Sequence, residues 1–175
     1  MKYIVIPAVM FMIATSAFAQ SAAEKTGANS LLGIPPKTED FVQEAGASDM
    51  FEVESSKLAV ERADDATKAF ARQMVMDHQK TTTEMKQMVE GGKVKATLPT
   101  AMTAAQQEMM DELKGLQGAE FTEQYQDDQV SAHETAVDLF RRYAEEGDNP
   151  ELKAWAGKTL PALEHHLQMA RDLNK

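Results

Sequence analysis

The sequence predicts an all-α protein: four long helices packed as a bundle, with a short extra helix in the long connection between the second and third. Two observations carry this. Apolar residues recur at helical spacing over stretches of more than twenty residues, as in Ala71, Met74, Val75, His78, Met85 and Val89. Between those stretches stand stop and cap signals, Asp64-Asp65, Gly91-Gly92 and Gly147 to Pro150. No strand alternation and no internal repeat compete with that pattern.

Before the first long helix, residues 1–19 read as a secretory signal peptide. Lys2 is its positive region, Tyr3 to Ala14 its apolar run, and Ala17-Phe18-Ala19 a small-x-small cleavage site. The apolar run is too short for a bilayer span, which needs about 20 residues. No cysteine follows the cleavage site, so a lipoprotein anchor is excluded. The expected product is a mature chain starting at Gln20, exported to a bacterial periplasm. Residues 20–37 are rich in Ser, Ala and Gly, show no apolar period and end in Pro35-Pro36. They read as a disordered tether. Leu31-Leu32-Gly33-Ile34 is its one patch with apolar side chains to lay on the bundle.

The bundle is expected over residues 38–174. The first helix starts after Thr38 as N-cap, with Glu39 and Asp40 in the first turn, and runs to about Ala63. Val42, Ala45, Asp49, Glu52, Val53, Ser56, Val60 and Ala63 share one face, with Phe51 and Leu58 on another side. Asp64-Asp65 turns the chain into the second helix, which ends near Glu90 before Gly91-Gly92. Such a short connection makes the pair an antiparallel hairpin. Residues 93–118 form a crossover, in which Thr103 to Gln106 is a capping box opening a short helix to about Leu113. The third long helix runs from about Ala119 to Glu146, with Phe121, Tyr125, Val130, His133, Val137 and Phe140 near one side. Asn149-Pro150-Glu151 opens the fourth in the favoured order of cap, proline and acid. It carries Leu152, Trp155, Thr159, Leu163, His166 and Leu173, and Pro161 inside it should bend it against Gly157. One crossover between two hairpins is the connectivity of ferritin-like bundles.

Composition narrows the chemistry. The 175 residues hold 28 acids, 18 bases and no cysteine, a net charge of −10. Such a surface excludes nucleic acid as a partner, where phosphate contacts need basic residues, and disfavours anionic membranes. There is no cysteine nucleophile, glycine-rich phosphate loop or nucleophile-elbow serine. Histidine and carboxylate remain. His165 falls off the apolar stripe, whereas His78, His133 and His166 sit on it, one per helix and each near mid-length. Glu52 falls on the inner face of the first helix at a comparable height, because side chains lean toward their helix N-terminus.

Three imidazoles and a carboxylate converging in a bundle make a mononuclear transition-metal site, suited to zinc, copper or iron. Asp77 stands beside His78 as a hydrogen-bond acceptor that orients a ring. Glu54 or Asp49 are alternatives to Glu52. Met74, Met85 and Met169 lie a turn or two from the histidines and keep copper in view, since thioether favours copper(I). The competing reading is a metal-free bundle whose histidines bond to neighbours such as Tyr125, Thr81 or Glu52. An enzyme would need an open coordination position and a substrate pocket, and the sequence displays neither.

Met50-Phe51-Glu52-Val53, Met74-Val75-Met76-Asp77-His78, Phe121-x-x-x-Tyr125, Ala132-His133 and Thr159-Leu160-Pro161 followed by His166-Leu167 together resemble a bacterial family. It is the exported domain of unknown function 4142, often labelled an outer membrane protein and grouped with ferritin-like folds. The resemblance spans about residues 38–173. Thr122 departs from it, standing where the family commonly shows aspartate. The resemblance implies a ferritin-like bundle and does not imply iron oxidation; metal handling or stress tolerance is the role that the shared placement of the histidines suggests. Di-iron bundles use Glu-x-x-His pairs, and Val75, Val130 and Leu163 occupy the positions three before the histidines here. The outer-membrane label sits badly with a sequence lacking barrel-strand alternation.

Overall fold

A computed structural model describes residues 22, 24 and 27–175. The expected signal peptide and most of residues 20–26 lie outside the described residues. Among the described residues there are six helices and no strand: α1 (Ala28–Leu31), α2 (Thr38–Arg62), α3 (Asp65–Glu90), α4 (Ala104–Gly115), α5 (Gly118–Glu146) and α6 (Pro150–Leu173). The four long ones are α2, α3, α5 and α6, and α4 is the short helix of the crossover.

Local chemistry sets most of their ends. Asp64 accepts the Thr67 amide at 2.8 Å, and Asn149 accepts the Leu152 amide at 3.0 Å. Thr103 and Gln106 close the expected capping box. The start of α2 differs from expectation. Lys37 is its N-cap and gives no side-chain cap. Asp148, in the turn between α5 and α6, takes both the Thr38 amide (3.0 Å) and its hydroxyl (2.6 Å). A carboxylate from a distant loop thus replaces the local cap and sits where the helix dipole favours an anion. That same pairing holds the Asp148 carboxyl below the usual range, against the opposing effect of its partial burial.

Packing joins α2 to α3, α5 to α6, α2 to α5 and α3 to α6, which places the long helices at the corners of a square. Thr38 meets Tyr143 while Ser56 meets Tyr125, so α2 and α5 run antiparallel. Glu84 meets Trp155 while Asp77 meets His166, so α3 and α6 do too. Therefore α3 and α5 are parallel and diagonal, and the crossover travels the length of the bundle. Pro99 of that crossover lies on α2 at Gly46, where an added Cβ would stand 2.6 Å from the proline ring. Arg62 at the end of α2 donates to the carbonyls of Leu113, Lys114 and Leu116, closing the C-terminus of α4.

The apolar interior is in two pieces. One surrounds Phe41, Met85, Phe140, Tyr143, Leu152 and Trp155 at the end where α2 begins. The other surrounds Phe51, Phe70, Met74, Leu113, Phe121 and Tyr125 at the opposite end. Between them lies a polar band that includes Asp49, Glu52, His78, Gln129, His133 and His166, all buried. Phe51, expected off the inner face, is fully buried because α4 and the crossover cover a second side of α2.

Within residues 20–37, some of the described residues lie against the bundle. Glu24 pairs with the buried Arg142 at 2.7 Å, Arg142 donates to the Ile34 carbonyl, and Asn29 is buried. These polar contacts of Glu24, Asn29 and Ile34 leave no apolar period in the sequence. The Leu31-Leu32 patch remains outside, 89% and 73% exposed.

Candidate metal centre

Four helices each bring polar side chains to the central band. On α2, Asp49 and Glu52 are one turn apart and both face inward. On α3, His78 follows Asp77, and Thr81 and Thr82 lie one turn on. On α5, Gln129 and His133 are four residues apart and share a face, while α6 supplies His166. The parallel run of α3 and α5 brings His78 and His133 to one height, and the α5–α6 hairpin folds His166 onto them.

The three rings form a near-equilateral group. Centroid separations are 5.6 Å (His78–His133), 5.7 Å (His78–His166) and 5.5 Å (His133–His166). One nitrogen from each lies within 4.8 Å of one nitrogen of each of the others.

Each ring spends one nitrogen on the protein. His78 Nδ1 is 2.8 Å from Asp49 Oδ1, and Asp49 is itself fixed by the Thr81 and Thr82 hydroxyls. His133 Nδ1 is 2.9 Å from the Gln129 carbonyl, and His166 Nε2 is 2.9 Å from Asp77 Oδ2. All three partners are acceptors, so these nitrogens carry the proton of a neutral ring. The other nitrogens, His78 Nε2, His133 Nε2 and His166 Nδ1, are buried without a partner. In the neutral ring each is an unprotonated lone pair, the form in which imidazole binds metal. Leaving such a group buried and unmatched costs about 1–3 kcal/mol, and the band holds three at one place.

Burial drives the rings apart in basicity. Burial, with the neighbouring His78 charge, pushes His133 down to about 3 despite its bond to Gln129. Burial and the two other histidines hold His166 at about 4, against the pull of Asp77. Burial also acts against His78, but the hydrogen bond to Asp49 and the charges of Glu52, Asp49 and Asp77 outweigh it and raise it. Burial raises the Glu52 carboxyl, and the nearby His78 charge opposes that.

The other expected residues fall as follows. Glu52 is buried beside the group, its Oε1 3.7 Å from His133 Nδ1 and its Oε2 without a partner. It approaches the nitrogen that His133 has already committed, so it stands behind the ring rather than among the three. Asp49, expected as an alternative ligand, and Asp77 both act as ring acceptors. Glu54 is exposed and pairs with Lys57 at 2.7 Å, one position out of phase with the inner face. Tyr125 lies in the far apolar cluster with its hydroxyl on Ser56 at 2.8 Å. His165 is exposed. Met74 and Met85 are buried in opposite apolar clusters, and Met169 packs at the edge of one. Gln129 was missed. It is fully buried beside Glu52, whose carboxyl it helps to hold down against burial, and its place four residues before His133 was the available signal.

A family model described as a domain of unknown function, DUF4142, matches residues 16–173. No curated protein matches the sequence. Among solved structures, "CopM in the Cu(II)-bound form" is similar, with 16% sequence identity, 80% of this chain and 97% of that chain covered, and a TM-score of 0.67. That likeness is one of fold.

Proposed function

The chain thus belongs to the DUF4142 family, and we propose from its centre that it binds one transition-metal ion through His78, His133 and His166, as an exported periplasmic protein of metal handling or stress tolerance. The single observation that carries the reading is the trio of buried, unpartnered imidazole nitrogens, on rings whose other nitrogens are each held by an acceptor. An ion there would supply the missing partner of all three at once. The two apolar clusters on either side would keep it from solvent, which suits retention. A protein of similar fold whose title states a bound copper(II) supports the reading.

Elemental analysis of the mature, tag-free protein purified from the periplasm tests it. The expected result is near one zinc, copper or iron per chain, with a raised melting temperature that His133→Ala removes. A protein empty of metal and indifferent to added ions overturns it. One observation favours a second reading: every ring is already anchored by a protein acceptor, as a metal-free polar network would require. On that reading His78→Ala lowers stability and added metal changes nothing.

A further inference from the structure

We infer that the three-histidine centre selects a divalent ion, of the copper(II) or zinc kind, and rejects copper(I); this rests on the metal-binding reading above. The three donors that converge there are imidazole nitrogens. Copper(I) is favoured by soft thiolate or thioether, and the chain has no cysteine. Its nearby methionines belong to the apolar clusters. Met74, one turn before His78, is fully buried among Phe51, Phe70 and Tyr125, and Met85 lies in the opposite cluster with Phe41 and Trp155. Packed on opposite sides of the band, these sulfurs fill apolar space.

Charge points the same way. Asp49 sits on His78, Asp77 on His166, and Glu52 beside His133. Among the described residues no lysine or arginine pairs with any of the three. The one buried arginine, Arg142, is engaged by Glu24 and Asp138. Asp49 is buried and Asp77 partly so, and an ionised carboxylate gains twice as much Coulomb energy from a dication as from a monocation at the same place. Borderline nitrogen donors ringed by carboxylates therefore suit a doubly charged ion.

The metal-stripped, tag-free mature protein tests this by competition. Zinc(II) and copper(II) are titrated against a coloured chelator, and copper(I) is titrated anaerobically against bicinchoninate. One divalent ion per chain is expected, lost in His133→Ala and retained in Met74→Leu, with copper(I) held more weakly than copper(II). Should His133→Ala fail to fold, His166→Ala serves in its place. Copper(I) bound as tightly as copper(II), or divalent binding that Met74→Leu weakens, overturns the selectivity while leaving a metal protein. Failure to bind any ion overturns the metal reading itself, and this inference with it.

Discussion

Asp77 and His166, on α3 and α6, meet at 2.9 Å between carboxylate and Nε2. Asp77 is also held by Gln73 at 2.6 Å, and its side chain is 36% exposed where the ring is 5% exposed. The pair spans from the surface to the central band. The carboxylate fixes which ring nitrogen carries the proton and so leaves Nδ1 as the buried lone pair. Acceptors of this kind are typically worth 10–100-fold in metal affinity. Asp77→Asn should lower affinity by about 10-fold while keeping one ion per chain, because a carboxamide oxygen still accepts but carries no charge. Competition titration against the wild type checks it.

Two of the histidines should cost the metal-free protein stability in mild acid. His133 and His166 titrate at about 3 and about 4 in the fold, against about 6.5 unfolded. The unfolded chain takes up their protons first, so stability falls as pH drops from about 6.5 toward those values, by at most about 1.4 kcal/mol per pH unit for each. His78 has the opposite sign. Its raised value adds stability below about 6.5 that is lost as pH rises through its folded value. The raised Glu52 and Asp128 carboxyls share the sign of His78, so the histidine contribution is read by difference: between pH 7 and pH 5 the urea midpoint of His166→Gln should rise relative to that of the wild type.

Asp128 offers a contrast on the same helix. Its Oδ1 takes the Gln124 amide at 2.9 Å, while Oδ2 is buried without a partner. Burial raises this carboxyl to about 6. The folded state binds the proton more tightly than the unfolded one, so its stability contribution is full below about 3.9 and is lost as pH rises through about 6. Asp128→Asn removes the ionisation. At pH 8 it should stabilise by about 1 kcal/mol after allowance for solvent screening, a gain of about 2–4 °C in Tm. At pH 3.5 the two proteins should melt together.

Gly46 is a steric requirement. A methyl there would stand 2.6 and 2.7 Å from two ring carbons of Pro99, and a proline ring has no flexible end to move aside. Gly46→Ala should therefore destabilise by about 1–3 kcal/mol, despite alanine's better helix propensity of about 1 kcal/mol. Pairing it with Pro99→Ala should recover much of the loss in a double-mutant cycle of urea melts.

Much of the fold was legible because it was written locally. Helical periodicity exposed the inward faces of α3, α5 and α6, and Asp64, Thr103 and Asn149 announced their own caps. The three histidines were found because each sits on an apolar face. What escaped was written between distant residues. The Thr38 amide is capped from Asp148, 110 residues away, and Glu24 is drawn to Arg142, 118 away. Neither pair leaves a periodic trace. The relative direction of α3 and α5 was equally open, since residues near mid-helix converge in parallel and antiparallel bundles alike. Whether a side chain serves as ligand or as acceptor also depends on rotamers. Asp49 and Glu52 share a face one turn apart, yet Asp49 meets a ring nitrogen directly while Glu52 stops at 3.7 Å from one.

The division of the interior into two apolar clusters around one hydrophilic waist gives the molecule a seam. Four continuous backbones cross it, but the side chains there adhere through directed bonds instead of non-directional burial. An ion at the waist would act as a rivet, tying α3, α5 and α6 together at the level where they cohere least. Its main mechanical effect would then be on cooperativity: an empty molecule whose halves breathe separately, and a loaded one that opens only as a whole.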